Sequence, residues 1–151
     1  MIGNASVKVG AFDTRDLEKL NTTGTCKSCN LIRVNLTGRN LSNADLNKVS
    51  LIGADLSKTN LKGVNLNWAI LKMVSLRGSD LSDGKLVKAN LRNADLTGAN
   101  LSRSNLSGAY LRDANLTNTN LNEANLTGAI MTGAIFCLTT MPDGTTNNSD
   151  C

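Results

Sequence analysis

Cysteines are the residues of this chain best suited to chemistry, and all four lie outside its repetitive centre: Cys26, Cys29, Cys137 and Cys151. The C-x-x-C spacing of the first pair suits zinc ligands, a redox pair or a structural disulfide. A thioredoxin-like redox pair needs a helix that begins at the motif, whereas here an extended repeat begins at Leu31. Redox chemistry through Cys26 and Cys29 therefore remains an alternative to a structural bridge.

Disulfide bonds are the use that proximity in the sequence favours for these cysteines, with Cys26 joined to Cys29 and Cys137 joined to Cys151 out of three connectivities. Closing a C-terminal loop of about fifteen residues would stabilise it by about 3 kcal/mol. The competing interpretation is four unreacted thiols in a cytosolic protein. Bridges would instead indicate an oxidising compartment.

No other set of residues suggests catalysis, a cofactor or a metal site. The sequence has no histidine, which removes the commonest general base and metal ligand at neutral pH. It contains neither G-x-S-x-G nor a glycine-rich phosphate loop. Asp80 and Asp83 flank Leu81, but no further acid completes a catalytic pair. We therefore expect a noncatalytic protein with no cofactor. We expect no zinc site either, because a stack of repeats would hold the two cysteine pairs about 25 Å apart.

Leucine recurs at every fifth position from Leu31 to Leu126, which makes 20 leucines without a miss. Met131 and Phe136 continue the register, so there are 22 units. A period of five fits no straight helix, because each five-residue step turns the chain by a net angle of about 140°. It fits no straight strand either, because five is odd and successive leucines would point to opposite faces.

A chain that bends once in every repeat places all the leucines on one axis. We number each repeat from −2 to +2, with the leucine at position 0. Small residues at −2 and leucine at 0 point inward from a short extended segment, whereas −1, +1 and +2 point outward. Glycine is frequent at +2, which suits a corner. Arg39 breaks the rule at −2, and its place in the first coil predicts that its charged head reaches solvent.

The repeat follows an Ala-(Asp/Asn)-Leu-x-x pattern, as in Ala44-Asp45-Leu46, Ala94-Asp95-Leu96 and Ala124-Asn125-Leu126. This pattern resembles the pentapeptide-repeat family. The resemblance implies an all-β fold, a right-handed quadrilateral parallel β-helix, with about five to six coils over residues 29–136. Residues 1–28 are interpreted as an N-terminal cap and 137–151 as a C-terminal turn and tail.

Both ends of such a solenoid need protection, because a terminal coil exposes apolar side chains and strand edges. Residues 13–20 predict a short capping α-helix with Asp13 or Thr14 as N-cap and Gly24 near its end. Residues 141–144, Met-Pro-Asp-Gly, predict a turn, after which the polar tail folds back or frays. Polar caps of this kind favour a monomer.

The caps and the C-x-x-C motif resemble cyanobacterial and plastid members of the family, and that resemblance implies the periplasm or the thylakoid lumen. The chain shows no signal peptide after Met1 and no apolar run long enough to span a membrane. We therefore expect either a cytosolic protein or one whose leader has been removed.

Outward residues 20 positions apart stack in one column. Lys72, Arg92 and Arg112 form one such column. Tyr110 lies in the neighbouring column, at position −1, and Arg77 lies round the next corner. This predicts a contact strip of cations and apolar groups, with a solvated, functionless face as the alternative. Trp68 lies outward between Lys48 and Lys88, where it either marks a binding patch or packs on lysine stems.

The composition favours a scaffold that binds an unknown protein partner. Some members of the family mimic duplex DNA and inhibit or protect type II topoisomerases, which requires a negative surface in place of phosphates. This chain carries a net charge of +4, and residues 31–136 hold 12 basic and 7 acidic groups. The sign of the charge therefore argues against DNA mimicry, and so mild a charge does not imply nucleic-acid binding.

Overall fold

The repeats wind the chain into a coil that returns to the same side every 20 residues. In the computed structural model, which describes residues 11–151, parallel bridges join each residue at position −1 to the residue 20 positions later, from Thr25–Asp45 to Asn120–Thr140. Four repeats therefore complete one coil, and the coil has four faces. Face 1 contains the repeats centred on Leu31, Leu51, Leu71, Leu91, Leu111 and Met131. Faces 2, 3 and 4 contain the repeats that follow each of these in turn.

A tight turn occupies most of every repeat, so only position −1 is left for strand pairing. The N–H of the next −2 residue donates to the carbonyl of the leucine, as from Ala94 to Leu91 at 3.1 Å. The residue at +2 has a positive φ in each of these turns, as a type II turn requires. The extended segment predicted from −2 to 0 is thus shorter than expected, because the turn begins at the leucine itself.

Non-glycine residues adopt this left-handed conformation as regularly as glycine does. The described chain has 15 non-glycine residues with positive φ, and all of them lie at +2. Trp68 (φ 62°) and Met73 (φ 58°) are the bulkiest examples. Glycine suits this corner, as the sequence indicated, but the coil imposes the left-handed conformation on every residue at +2.

Four of the five backbone N–H groups in a repeat are bonded by the backbone itself. Those at 0 and +2 donate to the following coil, that at −2 donates within the turn, and that at −1 donates to the preceding coil. The fifth, at +1, is bonded by the side chain of an Asn or Asp at −1, as Thr97 N–H is by Asp95 Oδ1 at 3.0 Å. This bond explains why Asn and Asp replace one another at −1, a turn role that the sequence had suggested.

The core is a stack of leucine side chains with small residues beside it. Leucines 31 to 121 at position 0 are all buried, and most are 0% exposed. Inner hydroxyl groups bond to backbone carbonyls, as Thr119 Oγ1 does to Leu96 O at 2.8 Å. Within residues 11–151 every buried side-chain oxygen and nitrogen has a partner. Leu126, Met131 and Phe136 are only half-buried, because no complete coil follows them.

Helix α1 (Thr14–Thr23) lies against the first coil. Asp13 is its N-cap, with Oδ1 accepting from the Arg15 N–H at 2.9 Å, and Gly24 ends it in the left-handed conformation. Leu20 packs into the core at 2% exposure. Arg39 is exposed, as predicted, and its Nη1 donates to Asn21 Oδ1 at 2.6 Å.

The C-terminal tail folds back on the last coil. Strand β1 (Thr139–Thr140) pairs antiparallel with β2 (Thr146–Asn147). Further along the tail, Asp150 Oδ2 accepts from the Phe136 N–H at 2.9 Å. The described residues include no helix long and apolar enough to cross a membrane.

Candidate functional site

Exposed apolar side chains are concentrated on face 1. At position −1, parallel bridges connect Ile70, Asn90, Tyr110 and Ile130 in one ladder. Ile70 is 39% exposed, Tyr110 42% and Ile130 46%. At the corner beyond this ladder Met73 is 58% exposed, a residue that the sequence analysis had not selected. The signal was present, since an apolar residue at +2 must point outward.

Three cations lie beside this ladder, at position +1. Lys72, Arg92 and Arg112 occupy successive coils, which follow one another at the strand spacing of about 4.8 Å. Arg112 Nε lies 3.6 Å from Asp113 Oδ2. Within residues 11–151, neither Lys72 nor Arg92 forms an ion pair. We name the two columns, Ile70–Ile130 and Lys72–Arg112, the face 1 strip.

The apolar residues of the strip also leave backbone donors uncapped. Ile70 and Tyr110 stand where most repeats have the Asn or Asp that bonds the N–H at +1. Among the described residues, the N–H groups of Lys72 and Arg112 consequently have no partner. Arg92 follows Asn90 in the same repeat, and its N–H donates to Asn90 Oδ1 at 3.3 Å. An apolar side chain, a cation and an open N–H therefore occur together in two repeats of the strip.

Arg77 does not join the strip. Its Nη1 lies 3.0 Å from Asp95 Oδ2 on the next coil of face 2. Burial raises the pKa of Asp95, but hydrogen bonds from Thr97 and Arg77 outweigh it and hold the pKa below its ordinary value of 3.8. Arg77 is thus neutralised by a carboxylate that stays ionised.

Trp68 lies at the corner that leads into face 1, two residues before Ile70. Its side chain is 52% exposed, and Lys88 Nζ lies 4.8 Å from its ring centroid. This is the packing on a lysine that the sequence left open, and it is a cation–π contact. Trp68 thus borders the strip at its edge.

The structure joins the four cysteines in the pairing that proximity favoured. Cys26 is bonded to Cys29, with Cα atoms 5.4 Å apart, and Cys137 to Cys151, with Cα atoms 4.8 Å apart. No cysteine is free among the described residues. Cys26 and Cys29 are buried, at 0% and 4% exposure, whereas Cys151 is exposed.

The acidic side chains do not converge. Asp83 bonds Arg103 Nε at 2.9 Å, which lowers the pKa of Asp83. In the part of the chain that the structure describes, no three His, Cys, Asp or Glu side chains are placed to hold a metal ion. A polar cleft beside the end of α1 is lined by Leu20, Arg39 and Asn43 among others, and it carries no such group either.

The family profile for pentapeptide repeats matches residues 29–67, 75–113 and 104–141, with eight copies. The chain belongs to the pentapeptide-repeat family. The fold of this family is a right-handed β-helix, which agrees with the parallel bridges between successive coils.

Solved structures of other pentapeptide-repeat proteins are similar to this one. HetL, which is involved in heterocyst differentiation regulation in the cyanobacterium Nostoc sp. strain PCC 7120, has 33% identity and a TM-score of 0.66 over 78% of this chain. The chain spans only 63% of the length of HetL. Rfr23 from the cyanobacterium Cyanothece 51142 has 30% identity and a TM-score of 0.55, covering 80% of this chain and 92% of its own.

A third structure, alr5209 from Nostoc PCC 7120, has 26% identity and a TM-score of 0.52, covering 72% of this chain and 84% of its own. No curated protein matches the chain. The similarities therefore establish the family and its fold, and they leave the function to be argued from the surface.

Proposed function

We propose that this pentapeptide-repeat protein is a noncatalytic scaffold that binds a protein partner through face 1. The observation that carries the proposal is the face 1 strip, in which apolar side chains, open N–H groups and three cations share one face, and two of these cations, Lys72 and Arg92, form no ion pair among the described residues. Protein interfaces are rich in aromatic residues and arginine. Tyr110 and Arg92 supply these two types at the centre of the strip.

The remainder of the fold serves as a rigid support in this proposal. Each coil is bonded to the next by backbone hydrogen bonds, so the spacing of the strip is fixed before binding. Helix α1 acts as the N-terminal cap. The C-terminal tail, which the Cys137–Cys151 bridge closes into a loop, protects the other end. Covered ends are consistent with a monomer.

An oxidising compartment, either a periplasm or a thylakoid lumen, is the proposed location. Both disulfides support it, because such bonds persist where glutathione does not reduce them. HetL is involved in the regulation of heterocyst differentiation, and a binding scaffold is one type of regulator. We extend to this chain only a role exerted through binding.

The two other functions considered from the sequence have weaker support. DNA mimicry needs a negative surface, and this chain has a net charge of +4. Redox exchange needs an accessible thiol or disulfide, whereas Cys26 and Cys29 are buried. Neither function is proposed here.

Site-specific photocrosslinking tests the scaffold function. Benzoylphenylalanine replaces Tyr110 on face 1 or Asn60, which is exposed at the same repeat position on face 3. Each protein is crosslinked in extracts of the source compartment, and products are identified by mass spectrometry. We expect a discrete partner from position 110 that is absent from position 60 and is lost when Arg92→Glu is added. Identical products from both positions would refute the proposal.

A further inference from the structure

We propose that the segment bound by the face 1 strip is an acidic amphipathic helix that lies along the solenoid axis. Its carboxylates contact Lys72, Arg92 and Arg112, and its apolar side chains pack on the column that runs from Ile70 to Ile130. This inference rests on the proposed function and names the chemistry of the partner.

Charge selects an anionic partner. Across face 1 the outward positions carry Arg33, Lys72, Arg92 and Arg112, against a single acid, Asp113. The open N–H groups of Lys72 and Arg112 add two hydrogen-bond donors, and a carboxylate accepts from N–H groups and cations alike. Elsewhere in the described residues, Arg77 is paired with Asp95 and Arg103 with Asp83.

The apolar column selects a partner with apolar side chains of its own. Ile70, Tyr110 and Ile130 are each more than a third exposed, and Met73 extends the apolar area at the corner. A flexible polyanion such as a nucleic acid or a sulfated polysaccharide would use the cations and leave this column in water. An amphipathic protein segment would cover both columns.

The spacing of the cations selects a helix over a strand. Three successive coils place Lys72, Arg92 and Arg112 at about 0, 4.8 and 9.6 Å along the axis. A helix with carboxylates at i, i+3 and i+7 places them at about 0, 4.5 and 10.5 Å, at 1.5 Å per residue. On one face of a strand, side chains follow one another every 6.6 Å or so. The third side chain would therefore lie about 3.6 Å beyond the third cation.

The width of the strip also suits one helix. The columns at −1 and +1 are two residues apart, or about 6.6 Å, which is less than the helix diameter of about 10–12 Å. The apolar column spans three coil steps from Ile70 to Ile130, or about 14 Å. That distance corresponds to about ten helical residues.

Fluorescence anisotropy with a designed helix tests this inference on the full chain. The probe is a hydrocarbon-stapled 16-residue peptide with Glu at i, i+3 and i+7 and leucines on the adjoining stripe. We expect it to bind the protein and to bind Arg92→Glu at least tenfold more weakly, with Arg92→Gln in between. Lys62→Glu is the matched control, because Lys62 is exposed at the same repeat position on face 3, and we expect less than a twofold change.

Three outcomes overturn the helix. One is a loss of affinity for the stapled peptide in Lys62→Glu that equals the loss in Arg92→Glu. Another is binding as tight or tighter by an unstapled peptide of the same composition with Glu at i, i+2 and i+4. The third is equal binding of a polyglutamate chain or heparin, which would show that charge alone is recognised. Circular dichroism and urea unfolding of each variant exclude loss of the fold as the cause.

The crosslinking experiment separates this inference from the function on which it rests. A discrete partner captured from position 110, together with failure of the stapled helix to bind, overturns the helix and leaves the scaffold function standing. Binding of the helix without any captured partner supports the recognition chemistry and counts against the scaffold function in that compartment.

Discussion

The carboxylate of Asp16, in helix α1, accepts a hydrogen bond from the main-chain N–H of Asn30 at 2.8 Å. In a complete solenoid a preceding coil would receive this N–H. The carbonyl of Asn30 is paired as well, because it accepts from the Asp13 N–H at 3.0 Å. The N-terminal segment therefore substitutes side-chain and backbone groups for the missing coil at this edge.

Replacing Asp16 by alanine tests how strongly this contact holds the helix. Hydrogen bonds to charged groups contribute about 1.5–3 kcal/mol, and Asp16 is half-buried. We expect Asp16→Ala to lower the free energy of unfolding in urea by about 1.5 kcal/mol. Glu18→Ala, at an exposed position of the same helix, should change it by less than about 0.5 kcal/mol. Equal effects would show that the contact adds nothing beyond helix propensity.

A substitution at Gly98 tests the backbone demand of position +2. Gly98 has φ of 71°, and a Cβ added there would have no neighbour closer than 3.9 Å. Gly98→Ala should therefore cost about 1 kcal/mol for the left-handed conformation alone. Urea unfolding measures the change. Space is not the limit, so Gly98→Ser should cost about the same.

Met73→Gly is the reverse experiment, because Met73 already has φ of 58°. Relief of the left-handed strain opposes the entropy that glycine loses on folding. We expect an unchanged or slightly higher urea midpoint. A loss of more than about 1 kcal/mol would mean that Met73 packs on its neighbours more than its 58% exposure indicates.

The five-residue period predicts the coil because only a turning chain can bury every fifth residue. It predicts the inward leucines and, through the Asn and Asp at −1, a turn role for those residues. It could not predict which cations are neutralised. Arg77 pairs with Asp95, 18 residues away, and only the register between adjacent coils brings these two together.

The open N–H groups of the strip can be predicted from the sequence only after the hydrogen-bonding pattern of the turn is known. Once Asn or Asp at −1 is known to bond the N–H at +1, Ile70 and Tyr110 identify two of the repeats in which this bond is missing. Ser82 and Ser102 show a different limit: they lie at +1 on face 3 and are buried, although that position was expected to point to solvent.

Acid should destabilise the fold, whereas a change of pH around neutrality should not. The Arg15 hydrogen bond lowers the pKa of Asp13 from its ordinary value of 3.8, and Ser57 and Arg103 do the same for Asp55 and Asp83. A carboxylate whose folded pKa is depressed stabilises the fold above its ordinary pKa, and that stability is lost as the pH falls through the folded pKa. The sequence has no histidine to titrate near neutrality.

We therefore expect the urea midpoint to be flat between about pH 5 and 7 and to fall below about pH 4. Asp83→Asn should reduce the acid-dependent slope, because it removes one of these groups. A midpoint that falls between pH 7 and 5 would contradict the assignment, since no side chain with a lowered pKa titrates there.

The Cys137–Cys151 disulfide should control only the C-terminal end. The bridge closes a loop with a sequence separation of 14 residues, for which chain entropy predicts about 3 kcal/mol of stabilisation. Within that loop, Asn148 Oδ1 accepts from the Leu138 N–H at 2.8 Å. In a solenoid each coil interacts mainly with its neighbours, so the change should stay near the tail.

Hydrogen exchange on the double variant Cys137→Ser/Cys151→Ser measures this locality. We expect protection to fall at the N–H of Leu138, and to persist at Leu71, whose N–H donates to Asn90 O at 2.7 Å inside the coil stack. Cys26→Ser/Cys29→Ser is the comparison, and its effect should lie at helix α1 instead. Loss of protection at Leu71 in the C-terminal variant would mean that the coils unfold as one cooperative unit, because a local end would then transmit its instability through the whole stack.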